Sequence, residues 1–140
     1  MSDVTDSVLV AVGTELPERS FGPVGLTDFV RYQGASGDFN PIHHDPAFAQ
    51  SAGYPGPFGV GMLSAGYMGT YLTDMYGADM VRRLAIQFRE QVWPGDVLTA
   101  QASVTGVTEL EGERRVQLDI KLLRQTGGAA ILGSAEFAIS

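Results

Sequence analysis

The stretch Val60-Gly61-Met62-Leu63-Ser64-Ala65-Gly66-Tyr67-Met68-Gly69-Thr70-Tyr71-Leu72-Thr73 contains no charged residue, and Asp74 is the first to follow it. Its large residues Met62, Leu63, Tyr67, Met68, Tyr71 and Leu72 leave no polar stripe, and a helix that is apolar all round is a buried helix. Gly61, Gly66 and Gly69 each cost such a helix about 1 kcal/mol relative to alanine. They make sense where backbone or a ligand must approach closely. At about 14–17 residues the segment is too short to span a bilayer, so a sheet of the same protein should enclose it.

The sheet follows directly in sequence. Leu84, Ile86 and Phe88 alternate with Ala85 and Gln87, and the turn Trp93-Pro94-Gly95-Asp96 comes next. Leu98, Ala100, Ala102 and Val104 alternate with Thr99, Gln101 and Ser103. Val116, Leu118, Ile120 and Leu122 face one way, with Gln117, Asp119 and Lys121 opposite. After the turn around Thr126-Gly127-Gly128, the residues Ile131, Gly133, Ala135, Phe137 and Ile139 form a last inward set. Period two over successive segments joined by short turns predicts an antiparallel sheet with one wet face. The fold class is therefore α+β, a long buried helix wrapped by a curved antiparallel sheet.

Upstream of the helix, Thr27 is positioned to cap a shorter helix in which Asp28, Phe29, Val30 and Gln33 lead to Gly34. Residues Pro46 to Ala52 form a further short helical turn ended by Gly53, and a strand falls around Val8–Val12 or Arg19–Phe21. Between the helices lies Ser36-Gly37-Asp38-Phe39-Asn40-Pro41-Ile42-His43-His44-Asp45, which holds both histidines of the chain. Gly37 and Pro41 set its turns, and Asn40 can hydrogen-bond backbone to hold the loop shape. An aspartate and a histidine converging on one point form an acid/base pair that works near neutral pH. The same composition also serves as a plain solvated turn, and spacing alone does not choose between the two. Consecutive residues His43, His44 and Asp45 point apart, which argues against a metal site needing three or four convergent ligands.

The next segment, Gly53-Tyr54-Pro55-Gly56-Pro57-Phe58-Gly59-Val60-Gly61, lacks the Gly-Lys-Ser/Thr ending of a phosphate loop. It reads either as a rigid connector or as a loop that presents bare N–H groups at the start of the buried helix, suited to a developing oxyanion.

Composition bounds the function. The 140 residues make one domain, 1–140, with a core large enough to need no staples. No cysteine is present, so disulfides and thiolate chemistry are excluded. The net charge of −7, from 16 acids against 9 bases, opposes nucleic-acid binding. The acidic start Met-Ser-Asp-Val-Thr-Asp lacks the pattern of an export signal, and a cytoplasmic protein without a membrane span is expected.

The segment Tyr32-Gln33-Gly34-Ala35-Ser36-Gly37-Asp38-Phe39-Asn40-Pro41-Ile42-His43 closely resembles the signature of the MaoC-like, (R)-specific enoyl-CoA hydratase family, which has the hot-dog fold. Gly59-Val60-Gly61-Met62-Leu63 is similar to the start of that family's central helix. Phe88-Arg89 through Pro94-Gly95-Asp96 is similar to its following strand and turn, so the resemblance covers about residues 26–100. It implies that Asp38 and His43 are the catalytic pair, that Asn40 braces their loop, and that the backbone N–H of Gly61 faces the thioester oxygen. The implied activity is reversible syn hydration of a trans-2-enoyl thioester to the (R)-3-hydroxyacyl thioester, in fatty acid metabolism. Coenzyme A would enter as part of the substrate, with no separate cofactor and no metal. Where family members often carry His or Pro before the Gly-Met pair this chain has Val60, which bears on pocket shape.

Tyr67, Met68 and Tyr71 are candidates for the pocket wall as well as for core, and Arg82, Arg83 and Arg89 are candidates for carrier phosphates. An acidic carrier protein would meet the negative charge of the chain, which favours coenzyme A. Competing readings are a thioesterase on the same fold and a subunit that needs a second hot-dog partner. An exposed sheet edge favours pairing into a homodimer or heterodimer.

Overall fold

The computed structural model of the protein describes residues 9–139. In chain order its elements are strand β1 (Arg19–Phe21), helix α1 (Leu26–Ser36), a 3-10 turn (Pro41–His43), helix α2 (Pro46–Ser51), helix α3 (Gly61–Tyr76), a second 3-10 turn (Ala78–Met80), and strands β2 (Val81–Phe88), β3 (Leu98–Leu110), β4 (Glu113–Arg124) and β5 (Ala129–Ala138). The strands form one five-stranded sheet in the order β1-β3-β4-β5-β2. Every neighbouring pair is antiparallel.

Register turns the alternating sequence into a continuous dry face. Ala100 pairs with Leu122, Ala102 with Ile120 and Val104 with Leu118. Leu122 in turn pairs with Ile131, Leu118 with Ala135 and Val116 with Phe137. All of these are buried in one cluster with Met68, Tyr71 and Leu72 of α3. Burial of a residue such as Leu72 or Met68 contributes about 1.5–3 kcal/mol, so the helix is held chiefly by this face. A register shift between Val104 and Gly106 interrupts the β3–β4 ladder, the kind of irregularity that bends a strand. This is the hot-dog arrangement of a helix laid along an antiparallel sheet.

The N-terminal segment straps α3 from its other side. The Tyr71 hydroxyl donates to the Pro17 carbonyl at 2.8 Å, and the Tyr76 hydroxyl to the Leu9 carbonyl at 2.8 Å. Burial, with Glu18 nearby, pushes the Tyr71 phenol up to about 12. Phe21 stacks on Tyr67 at 4.8 Å, and Arg19 pairs with Asp74 at 2.6 Å. At the opposite end Asp96 is buried and accepts from the Trp93 N–H at 2.8 Å, from Arg124 Nε at 2.8 Å and from Gln125 Nε2 at 2.7 Å. This knot ties the Trp93–Asp96 turn to the end of β4.

Four expectations are corrected. Helix α3 is not enclosed all round, because Met62, Gly66, Thr70 and Asp74 lie on an exposed face spaced four residues apart. Strand β2 has no dry face of its own: Leu84 is 41% exposed and Phe88 52%. It is an edge strand, in which Ile86 packs against the core and Phe88 closes on the start of α3, while Leu84 and much of Phe88 stay open to solvent. The cap of α1 is Gly25 rather than Thr27, with the Asp28 carboxylate accepting from the Gly25 N–H at 2.8 Å. That helix also runs past Gly34 to Ser36 and ends at Gly37, whose φ of 80° suits a residue without Cβ. Of the alternative N-terminal strands, Arg19–Phe21 forms, Leu9–Val12 is turn and bend, and Val8 lies outside the described residues.

Candidate active site

The loop between α1 and α2 is shaped by its own side chains. The Asn40 side-chain oxygen accepts from the Ile42 N–H at 3.1 Å, capping the 3-10 turn that carries His43. The Asp38 carboxylate accepts from the Asn40 N–H at 3.3 Å, and the Asp45 carboxylate caps α2 by accepting from the Phe48 N–H at 3.2 Å. Asp45 is thus a helix cap, and among the described residues no cluster of His and acidic groups could hold a metal ion.

A residue of α1 secures this loop from beneath. Gln33 is 2% exposed, and its Nε2 donates to the Asn40 carbonyl at 2.9 Å. That donation leaves its Oε1 as acceptor, 2.8 Å from His44 Nδ1, which therefore carries a proton. In the sequence Gln33 stood as a helical residue and a member of the signature segment, with no side-chain role of its own. Its role depends on a contact eleven positions downstream, for which local patterning carries no signal.

His43 is buried, 9% exposed, and its Nδ1 lies 2.8 Å from the Phe58 carbonyl oxygen. A carbonyl only accepts, so Nδ1 holds the proton and Nε2 is the basic nitrogen. The Phe58 ring meets the imidazole edge-on at 5.2 Å. The Gly-rich segment thus orients the imidazole through its backbone before delivering the chain to α3.

Helix α3 begins at Gly61, with Val60 as its cap residue and no side-chain cap. The Leu63 N–H donates back to Val60, while among the described residues the N–H of Gly61 has no acceptor. A Cβ at Gly61 would stand 3.1 Å from the Phe88 ring, so glycine lets this ring close against the helix start. His43 and Gly61 line one open cleft of about 290 Å³, together with Phe58, Ser64, Phe88 and Arg89 among others. A basic imidazole nitrogen and an unpaired helix N–H on one cleft can take a proton and stabilise a developing oxyanion.

The four residues singled out by sequence are not all brought together. His43 and Gly61 share the cleft; Asn40 stays in the loop as a brace. Asp38 is exposed, is not among the cleft-lining residues, and makes no hydrogen bond or ion pair with His43. Tyr67, Met68 and Tyr71 belong to the core or pack against it, and none lines the cleft. Of the three arginines, Arg82 pairs with Glu113 at 2.8 Å and Arg83 donates to Ser134 at 2.9 Å, whereas Arg89 lines the cleft with no side-chain partner among the described residues. A second hollow of about 200 Å³ holds Glu15, Glu18, Asp119 and Lys121, without a histidine or a helix start.

Comparison with known proteins places the chain. It is 31% identical over 115 residues to the (R)-specific enoyl-CoA hydratase of Aeromonas caviae, covering 79% of this chain and 83% of that protein. It is 34% identical over 100 residues to the peroxisomal hydratase-dehydrogenase-epimerase of Neurospora crassa, covering 71% of this chain but only 10% of that much longer protein. The solved A. caviae (R)-hydratase superposes with a TM-score of 0.78 at 28% identity, over 91% of this chain and 96% of that one. The ChsH1-ChsH2 complex of Mycobacterium tuberculosis shares the fold, with a TM-score of 0.80 at 21% identity, over 93% of this chain and 98% of the matched one. The family model described as MaoC like domain matches residues 9–125, and the chain belongs to that family.

Proposed function

We propose that this chain catalyses the reversible syn hydration of a trans-2-enoyl thioester to the (R)-3-hydroxyacyl thioester. The observation that carries the reading is the pairing of a basic His43 Nε2 with the unpaired Gly61 N–H on one cleft. As water attacks carbon 3, negative charge builds on the thioester oxygen, where a helix N–H contributes most. The water gives up one proton and a proton is delivered to carbon 2 on the same face; dehydration reverses both transfers. In this reading His43 and Asp38 share that proton traffic, His43 from within the cleft and Asp38 from the loop that leads into it. No separate cofactor takes part, and coenzyme A enters as part of the substrate.

Arg89 is the residue proposed to meet the carrier's phosphates, since its guanidinium is uncommitted and stands on the cleft. The net charge of −7 favours a coenzyme A thioester over one on an acidic carrier protein. The open edge of β2 and the exposed Leu84 and Phe88 support pairing with a second hot-dog chain, an identical copy in this reading. Phe88 belongs to both that edge and the cleft, so the partner would complete the site.

The test is an assay of the purified chain with crotonyl-CoA and a longer trans-2-enoyl-CoA. Loss of enoyl absorbance without thiol release, and an (R)-3-hydroxyacyl product, is the expected result. Thiol release would make it a thioesterase and overturn the reading.

A further inference from the structure

Ser64 is an unusual buried residue. It sits one turn into α3, is 5% exposed, and lines the same cleft as His43 and Gly61. The other buried polar side chains all have partners: Gln33 holds Asn40 and His44, His43 holds Phe58, and Asp96 holds Arg124. The Ser64 hydroxyl has none among the described residues. It does not even turn back onto the carbonyls of Val60 or Gly61, the usual resort of a serine inside a helix, although Ser51 and Thr73 make such backbone contacts. Among the described residues no buried side-chain polar atom is left unsatisfied, so the unbonded Ser64 hydroxyl opens onto the cleft, where a ligand can supply its partner.

Its direction is set by helix geometry. The Cα–Cβ bonds of an α-helix lean toward its N-terminus, so a side chain covers the turn that precedes its own Cα. Residues three apart also share a face. The Ser64 hydroxyl therefore leans back over the turn of Gly61, toward the place where the unpaired Gly61 N–H points.

We propose that the Ser64 hydroxyl is a second hydrogen-bond donor to the thioester oxygen, acting beside the Gly61 N–H. This rests on the hydratase reading above. A donor aimed where charge develops strengthens as the enolate forms, so its loss lowers kcat and leaves KM nearly unchanged. It also polarises the bound substrate, which shifts the absorption of a conjugated enoyl thioester to longer wavelength.

The experiment compares Ser64→Ala and Ser64→Thr with the wild-type chain, using crotonyl-CoA for kinetics and an aryl-conjugated enoyl-CoA as the absorbance probe. Ser64→Ala is expected to lose about 10–10³-fold in kcat with KM within about threefold, to keep its melting temperature, and to show a smaller red shift of the probe. Ser64→Thr, which keeps the hydroxyl, should recover most of both. An active wild type whose Ser64→Ala variant keeps its kcat, or loses kcat with the full red shift retained, would overturn this proposal alone. A wild type that binds the probe yet hydrates no enoyl thioester would overturn the hydratase reading, and the role of Ser64 with it.

Discussion

The imidazole of His43 donates from Nδ1 to the Phe58 carbonyl across 2.8 Å, which leaves Nε2 as the basic nitrogen. Two segments fifteen positions apart are thus locked to each other through the imidazole proposed as the base. Replacing His43 with Gln should lower turnover by about 10²–10⁴-fold, and Asp38→Asn by a similar factor. Asp38→Asn should leave the melting temperature unchanged, because Asp38 is exposed and only its loop depends on it. Near-normal turnover in either variant, measured on crotonyl-CoA, removes that residue from the mechanism.

Gln33 offers a test of loop positioning without touching substrate. Leucine there would strand the Asn40 carbonyl and the His44 N–H that it now satisfies. Gln33→Leu is expected to cost about 1–3 kcal/mol in a urea titration. It should also lower kcat more than its effect on KM.

Gly61 and Phe88 should behave as a coupled pair. A methyl group at Gly61 meets the Phe88 ring at 3.1 Å and must displace it. Helix propensity favours alanine by up to about 1 kcal/mol, so Gly61→Ala should not unfold the protein. Its kcat/KM should fall about 10–100-fold through misplacement of the cleft wall. In the double variant with Phe88→Ala the two effects should fail to add, which a double-mutant cycle reads directly.

Acid stability reports on Asp96 and Glu113. Burial raises the Asp96 pKa, but Arg124, the Trp93 N–H and Gln125 outweigh it and hold the carboxyl below its usual range. Arg82 and Arg115 hold Glu113 down at about 2. Both folded pKa values lie below the unfolded ones, so this stabilisation is present above pH of about 4–5. It drains as pH falls through the folded values. Urea midpoints should therefore decline between pH of about 4 and about 2. Asp96→Asn should cost about 3 kcal/mol at neutral pH by removing the buried partner of Arg124 and leaving it only the 3.5 Å contact to the exposed Glu90, and flatten part of that acid decline.

The β2 edge predicts association. Leu84→Lys places a charge on an exposed apolar edge strand and should shift the chain to monomer in sedimentation. If the partner completes the cleft at Phe88, activity falls with the dimer. A wild-type chain that sediments as a monomer at full activity would remove the second copy from the proposal.

Much of this protein is written locally. The alternation at 98–104 and 116–122 was readable because a strand puts successive side chains on opposite faces, and one face is buried. The loop from Ser36 to His43 and the helix starting at Gly61 were legible for the same reason, since caps and turns depend on near neighbours. Tertiary structure alone decided the rest. Leu84, Ile86 and Phe88 carry the same alternation as β3, yet β2 lies at the sheet edge, and alternation cannot state what covers a face. Met68 and Tyr71 went to the core, while Ser64, on the same helix, turned to the cleft. Pairing Gln33 with His44 and His43 with Phe58 required the chain to fold back on itself. Such contacts are set by how whole elements pack, and that packing buries far more free energy than any residue's own preference supplies.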